Sequence, residues 1–164
     1  KYIFKDALDN SWHFLKRAGT IIFIGVIIIW CLAFLPAGVE YGSEMSIAGH
    51  IGKFIAPVFS PLGFGNWQSS VALLFGASAK EIVVGTLGTL FANGSINEGL
   101  KSIFNPLSAF SFIVFTLLYV PCFGSLITIK KEIGLKWSLF TAFYTTAIAY
   151  IVSMIIYQIG SLIL

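Results

Sequence analysis

The sequence predicts an all-α protein: a polytopic membrane helical bundle with an N-terminal interfacial helix, about three to four spans and a re-entrant or broken helix. Three observations carry that expectation. Charged residues make up 10% of the 164 residues against 57% hydrophobic ones, with a mean hydropathy of +0.92; soluble domains carry about 25% charge. Uncharged apolar runs of spanning length recur along the chain, parted by short polar or Pro/Gly-rich stretches. The remaining charges gather at the ends of those runs, with Lys80 and Glu81 as the exception.

The elements follow in order. Residues 1–17, KYIFKDALDNSWHFLKR, alternate apolar and charged positions at helical spacing. Tyr2, Phe4, Leu8, Trp12 and Leu15 are available to a lipid boundary, so an interfacial helix is expected. Residues 18–36 carry no charge and are long enough to span. Residues 43–58 read as a short amphipathic helix with Met45, Ala48, Ile51 and Ile55 on one face. Pro57, Pro61, Gly63 and Gly65 then break the chain. Residues 66–91 are apolar apart from Lys80 and Glu81, and residues 92–105 read as a loop. Residues 107–129 and 137–164 are uncharged spans. The whole, residues 1–164, reads as a single membrane module, with the interfacial helix over 1–17 and the transmembrane bundle over 18–164. Because it opens on Lys1, it is expected to be a piece of a longer chain.

Charge sets the expected topology. Basic residues cluster at 1–17 and at 130–136, and both clusters should lie in the cytoplasm. Three apolar segments lie between them, an odd number. Parity is restored if something within 43–91 enters and leaves on the same side. Non-helical backbone at membrane depth is tolerated only where protein or a water-filled cavity covers it, so the parity argument itself points to a pathway. The net charge of +3 is small and dispersed, which argues against a nucleic-acid partner. Cys31 and Cys122 both sit in apolar segments, which argues against a disulfide framework. No Walker-type, GxSxG, HExxH or CxxC motif is present, so enzymatic chemistry is not expected.

Two places stand out as candidate sites. A charge at the centre of a spanning helix costs about 2.5–3.5 kcal/mol on insertion scales, and such residues often mark an ion or substrate path. Glu81 is a candidate pathway carboxylate, with Lys80 beside it; Ala77, Gly85 and Gly88 share its helical face. The alternative is a pair that holds helices together. The second place is Pro121–Cys122, inside an uncharged run. Pro121 removes one amide donor and frees the Leu117 carbonyl. A thiol beside free carbonyls makes Cys122 a candidate transient ligand for a transition-metal cation, and broken helices of this kind build the midplane sites of many transporters. Gly124 leaves room for close approach. Ser125 and Glu132 lie roughly on the Cys122 face, but Glu132 is about 15 Å further along the axis and is a weaker candidate. The alternative is a proline kink with Cys122 acting as a small hydrophobe. Cys31, among Trp30, Leu32 and Phe34, reads as core packing. His50 and Met45 could attract metal at the outer mouth, but a lone histidine is weak evidence.

These stretches resemble a known family. WHFLKRAGTIIF (12–23) with Trp30, APVFSPLGFGNWQSSVALLFGASAKEIVVGTL (56–87) and LLYVPCFGSLITIKKEIG (117–134) are similar to the C-terminal Gate region of the bacterial ferrous iron transport protein B family. The likeness covers nearly the whole chain. It implies a multi-pass inner-membrane Fe²⁺ permease, with Fe²⁺ as the transported substrate and no cofactor bound in this chain. It implies as partners, besides the lipid bilayer, a GTP-binding domain and a first Gate region, neither contained in this sequence. It leaves room for small cytoplasmic accessory proteins and for a homo-oligomer. Cys122 in Y-x-P-C matches the position of a proposed Fe²⁺ ligand in that family. The competing expectation is a Gate-fold module for nucleosides or other organic solutes, or a membrane scaffold without transport. A nucleoside site would want several amide, carboxylate and aromatic groups together, and the spans offer only Glu81 and Gln158 with some Ser and Thr.

Overall fold

The computed structural model describes residues 43–91 and 96–163, together with scattered positions between Ser11 and Leu35. The expected interfacial helix and the span over 18–36 therefore lie largely outside the described residues. The rest comprises α1 (Ile47–Phe59), a 3-10 turn (Ser60–Leu62), α2 (Trp67–Gly76), α3 (Glu81–Leu90), α4 (Ile96–Ile103), α5 (Pro106–Leu118), α6 (Phe123–Glu132) and α7 (Leu135–Ile163). No strand occurs among the described residues, and the all-α expectation holds.

Among the described residues, two stretches are long and apolar enough to cross a membrane, Pro106–Glu132 and Leu135–Ile163. The second is one continuous helix. The first is α5 and α6 in succession, parted at residues 119–122. Both turn large apolar side chains outward, among them Phe110, Ile113, Phe143, Ile151 and Ile159. In hydrocarbon such exposure costs nothing, and helices are held together instead by close packing and hydrogen bonds.

Local chemistry sets each boundary. Ser46 caps α1 by accepting from the Gly49 amide at 3.0 Å, and Asn66 caps α2 by accepting from Ser69 at 2.8 Å. Asn105 and Ser108 form a reciprocal capping box at the start of α5. α1 and α2 fold back on each other as a hairpin. The buried face of α1 is Ala48, Gly49, Gly52 and Ala56. This corrects the expected face: Met45 is exposed, and Ile51 and Ile55 are only half-buried. Small residues win because the start of α2 approaches closely. A side chain at Gly52 would strike Val71 and the Trp67 carbonyl.

The second correction is α4, which occupies residues expected as a loop. Asn93, Gly94 and Ser95 gave the loop signal. The signal overlooked was Ile96, Leu100 and Ile103, spaced for one helical face; Leu100 and Ile103 pack against the core.

The core sits where the hairpin tip meets α5 and α7. Leu62 and Phe64 are fully buried there. Phe64 contacts Phe112 and Phe115 with ring centroids 5.2 and 5.7 Å apart. The end of α1 and the 3-10 turn leave carbonyls without α-helical partners. Neighbouring helices supply them. Tyr150 donates to the Val58 carbonyl at 2.9 Å, and Gln158 to the Pro61 carbonyl at 3.2 Å. The Ser111 hydroxyl lies 2.9 Å from the Leu62 carbonyl and 3.1 Å from that of Ser153. Gly63 has φ +86°, and a side chain there would enter the Tyr157 ring. Glycine answers both demands.

Candidate functional site

Two helical paths are broken. The first runs through α2 and α3 and is interrupted at residues 77–80; the second runs through α5 and α6 and is interrupted at residues 119–122. The breaks face each other and exchange hydrogen bonds. Tyr119, the last residue of its turn, points its hydroxyl into the first path and donates to the Leu73 carbonyl at 3.2 Å. Lys80, at the N-cap of α3, reaches the other way. Its ammonium donates to the Leu117 carbonyl at 2.6 Å and lies 5.6 Å from the centre of the Tyr119 ring.

Pro121 explains why that carbonyl accepts a side chain. In an unbroken helix the amide of residue 121 would bind Leu117, and proline has no amide hydrogen. The backbone leaves the helix at Tyr119, with ψ −171°, and resumes at Phe123 with Cys122 as N-cap. The thiol of Cys122 is half-buried and stands 3.4 Å from the Ser125 hydroxyl. Gly124 sits alongside; a Cβ added there would meet only the Cys122 sulfur, at an ordinary 3.8 Å.

Glu81 opens α3, where the positive end of the helix dipole favours a carboxylate. It is exposed, and it directly follows Lys80, whose ammonium reaches the second break. A side chain added at Gly85 or Gly88 would meet nothing within 4 Å, and Gly88 lines an apolar cavity walled by α4 and α5. Glu132 closes α6, exposed, next to Lys130 and Lys131. Lys80, Pro121, Cys122, Gly124 and Ser125 thus gather at the paired breaks, with Glu81 at their edge; Glu132 does not join them. Among the described residues, no three His, Cys, Asp or Glu side chains converge as a metal site. His50 binds its own helix instead, with Nδ1 3.0 Å from the Ser46 carbonyl.

Sequence reasoning missed Tyr119 and the destination of Lys80. Both act across 37 residues or more, at distances that periodicity does not report. The one local sign was an aromatic residue two positions before a helix-breaking proline.

Chemically, the paired breaks offer a soft sulfur, a hydroxyl, a carboxylate and a carbonyl that proline has released. Such a mixture suits a borderline divalent cation better than a hard one.

Comparison with known proteins bears on what passes there. A family model described as Gate, nucleoside recognition, matches residues 15–136. The chain is 40% identical to the Fe(2+) transporter FeoB of Methanocaldococcus jannaschii over 174 residues, covering 98% of this chain and 26% of that protein. It is 34% identical to the Fe(2+) transporter FeoB of Staphylococcus aureus strain MSSA476, over 99% of this chain and 25% of the relative. The corresponding figures for the Fe(2+) transporter FeoB of Campylobacter jejuni are 37%, 95% and 28%. The chain therefore spans about a quarter of the length of these relatives. No solved structure matches it.

Proposed function

The chain belongs to the Gate family, and from that membership we propose that it supplies part of the Fe²⁺ translocation pathway of a multi-pass transporter in the bacterial inner membrane. The observation that carries the reading is the meeting of two broken helices around a cysteine and a released carbonyl. The relatives named as Fe(2+) transporters support it. In this reading Cys122 is a transient Fe²⁺ ligand through its sulfur, and Glu81 is the pathway carboxylate. Ser125 and Gly124 line the way past Cys122, and Glu132 lies further along it.

A permeating ion must bind well enough to enter and weakly enough to leave. An incomplete ligand set on one chain fits that need. Further ligands would come from a preceding Gate region, which would also cover Glu81 and the open face at Gly85 and Gly88. A GTP-binding domain of the same longer protein would drive or regulate the passage. The basic stretches 1–17 and 130–136 would lie in the cytoplasm.

One observation favours a second reading: the family model is described by nucleoside recognition. Uptake by the complete transporter in vesicles separates the two. Saturable Fe²⁺ uptake that an excess of uridine leaves unchanged is the expected result. Uridine uptake without Fe²⁺ uptake would replace the iron reading with the nucleoside one.

A further inference from the structure

We propose that Lys80 is an internal, displaceable cation that occupies the Leu117 carbonyl and keeps the paired breaks closed until a divalent cation takes its place. The inference deepens the iron-pathway reading above and rests on it for the identity of the cation.

Lys80 is in the wrong place to serve its own helix. A cation at a helix N-terminus opposes the macrodipole, and the Lys80 side chain makes no capping bond to α3. What it does instead is cross to the other break and bind the acceptor that Pro121 has orphaned, at 2.6 Å. Carbonyl oxygens released from a helix are what a cation uses in place of its hydration shell. The Leu117 oxygen is therefore already cation-loaded, by an ammonium on a flexible stem rather than by a fixed backbone amide.

The surroundings favour release rather than permanence. The bond lies at the exposed surface of this chain, unlike the Tyr119 bond to Leu73, which is buried. The Tyr119 ring below the ammonium gives a cation–π contact that guides without fixing. Glu81, the next residue, is exposed and would attract an arriving cation. Arrival of a divalent ion at Cys122 and Leu117 repels the ammonium, so occupation and opening are one event.

The test uses the complete transporter, with Cys122 as its sole reactive cysteine, and measures the rate at which a neutral maleimide labels that thiol. A neutral reagent removes simple charge repulsion from the comparison. Lys80→Met should raise the rate about tenfold, the scale of losing one hydrogen bond from a charged donor. Lys80→Arg, which keeps a cationic donor, should stay within about twofold of the parent. Lys80→Gln keeps a neutral donor and should lie above the parent; it decides the matter if the Met variant does not accumulate in the membrane. In the same vesicles, Lys80→Met should lower the Fe²⁺ concentration needed for half-maximal uptake, because the competent state no longer has to be uncovered. Unchanged labelling in both neutral variants overturns the proposal. If labelling rises but no Fe²⁺ is carried by any form, the closing role of Lys80 stands and the iron reading is what fails.

Discussion

The hairpin tip and the paired breaks pose the same problem and solve it differently. Each interrupts the α-helix of an apolar chain, and each contains a proline, Pro61 at the tip and Pro121 at the breaks. At the tip, every donor that reaches a carbonyl is neutral: Tyr150, Gln158 and Ser111. The residues beneath, Leu62 and Phe64, are fully buried. At the breaks, the donor to the released carbonyl is the ammonium of Lys80, and the neighbours are a free thiol and an exposed carboxylate. Neutral partners over a buried aromatic core make a permanent structure, with the Ser111 bond itself buried. A charged partner at an exposed face makes one that can be exchanged. In the proposed reading the tip supplies stability and the breaks supply the pathway, and substitutions can separate the two.

The largest effect should come from the tip. Phe64→Ala empties a site ringed by Phe59, Phe112 and Phe115 and should cost about 3–5 kcal/mol. Reversible unfolding in detergent measures it, and a loss below about 1 kcal/mol would remove the tip from the core. Gly63→Val is next. It forces a β-branched residue to positive φ and into Tyr157, and should cost about 2–3 kcal/mol by the same measurement.

Smaller again is Gln158→Leu, which leaves the Pro61 carbonyl without its donor, at about 1–2 kcal/mol. Ion uptake per folded molecule should be unchanged in all three. At the breaks, Pro121→Ala returns an amide that can pair with the Leu117 carbonyl. It should raise thermal stability by about 1 kcal/mol while lowering Fe²⁺ uptake. A gain in both stability and uptake would make the break a mere kink.

The smallest expected effect lies away from both regions. The hydrogen bond and charge of Lys53 hold the Glu44 carboxyl below its ordinary value of 4.5, with the Trp67 indole also donating to it. A carboxyl lowered in the folded state stabilises above its unfolded value, and that contribution fades as pH falls through the folded value. Glu44→Gln should therefore lower the melting temperature slightly at pH 7 and not at all well below pH 4.5. Full exposure and screening keep the difference small.

Much of this division was legible in the sequence because its causes are local. Pro121 announced a missing amide four residues after Leu117, and Cys122 stood next to it. The isolated charges at 80 and 81 announced an unusual place in an apolar run, and Pro57, Pro61, Gly63 and Gly65 announced the tip. The family resemblance, carried by the same stretches, agrees with the family match and with the relatives along nearly the whole chain. What stayed hidden depends on tertiary neighbours. The bond from Lys80 to Leu117 spans 37 residues, and nothing in either segment names the other. The apolar face of α1 was read from its large residues, but its buried face is Ala48, Gly49, Gly52 and Ala56, where α2 leaves no room for a side chain at Gly52 and the backbone of Ser43 and Glu44 leaves none at Gly49. α4 was lost among polar residues because eight residues give little more than two turns of periodicity.

The central claim is that the breaks hold an ion, and Cys122→Ser tests it most directly. Serine keeps the size and polarity of the side chain and removes the soft donor. Fe²⁺ uptake at limiting iron should be measured in the complete transporter, beside the thermal stability of the same sample. The account predicts that uptake falls at least about tenfold while stability stays within about 0.5 kcal/mol of the parent. Full uptake by Cys122→Ser would contradict it, leaving Cys122 as packing beside a proline kink.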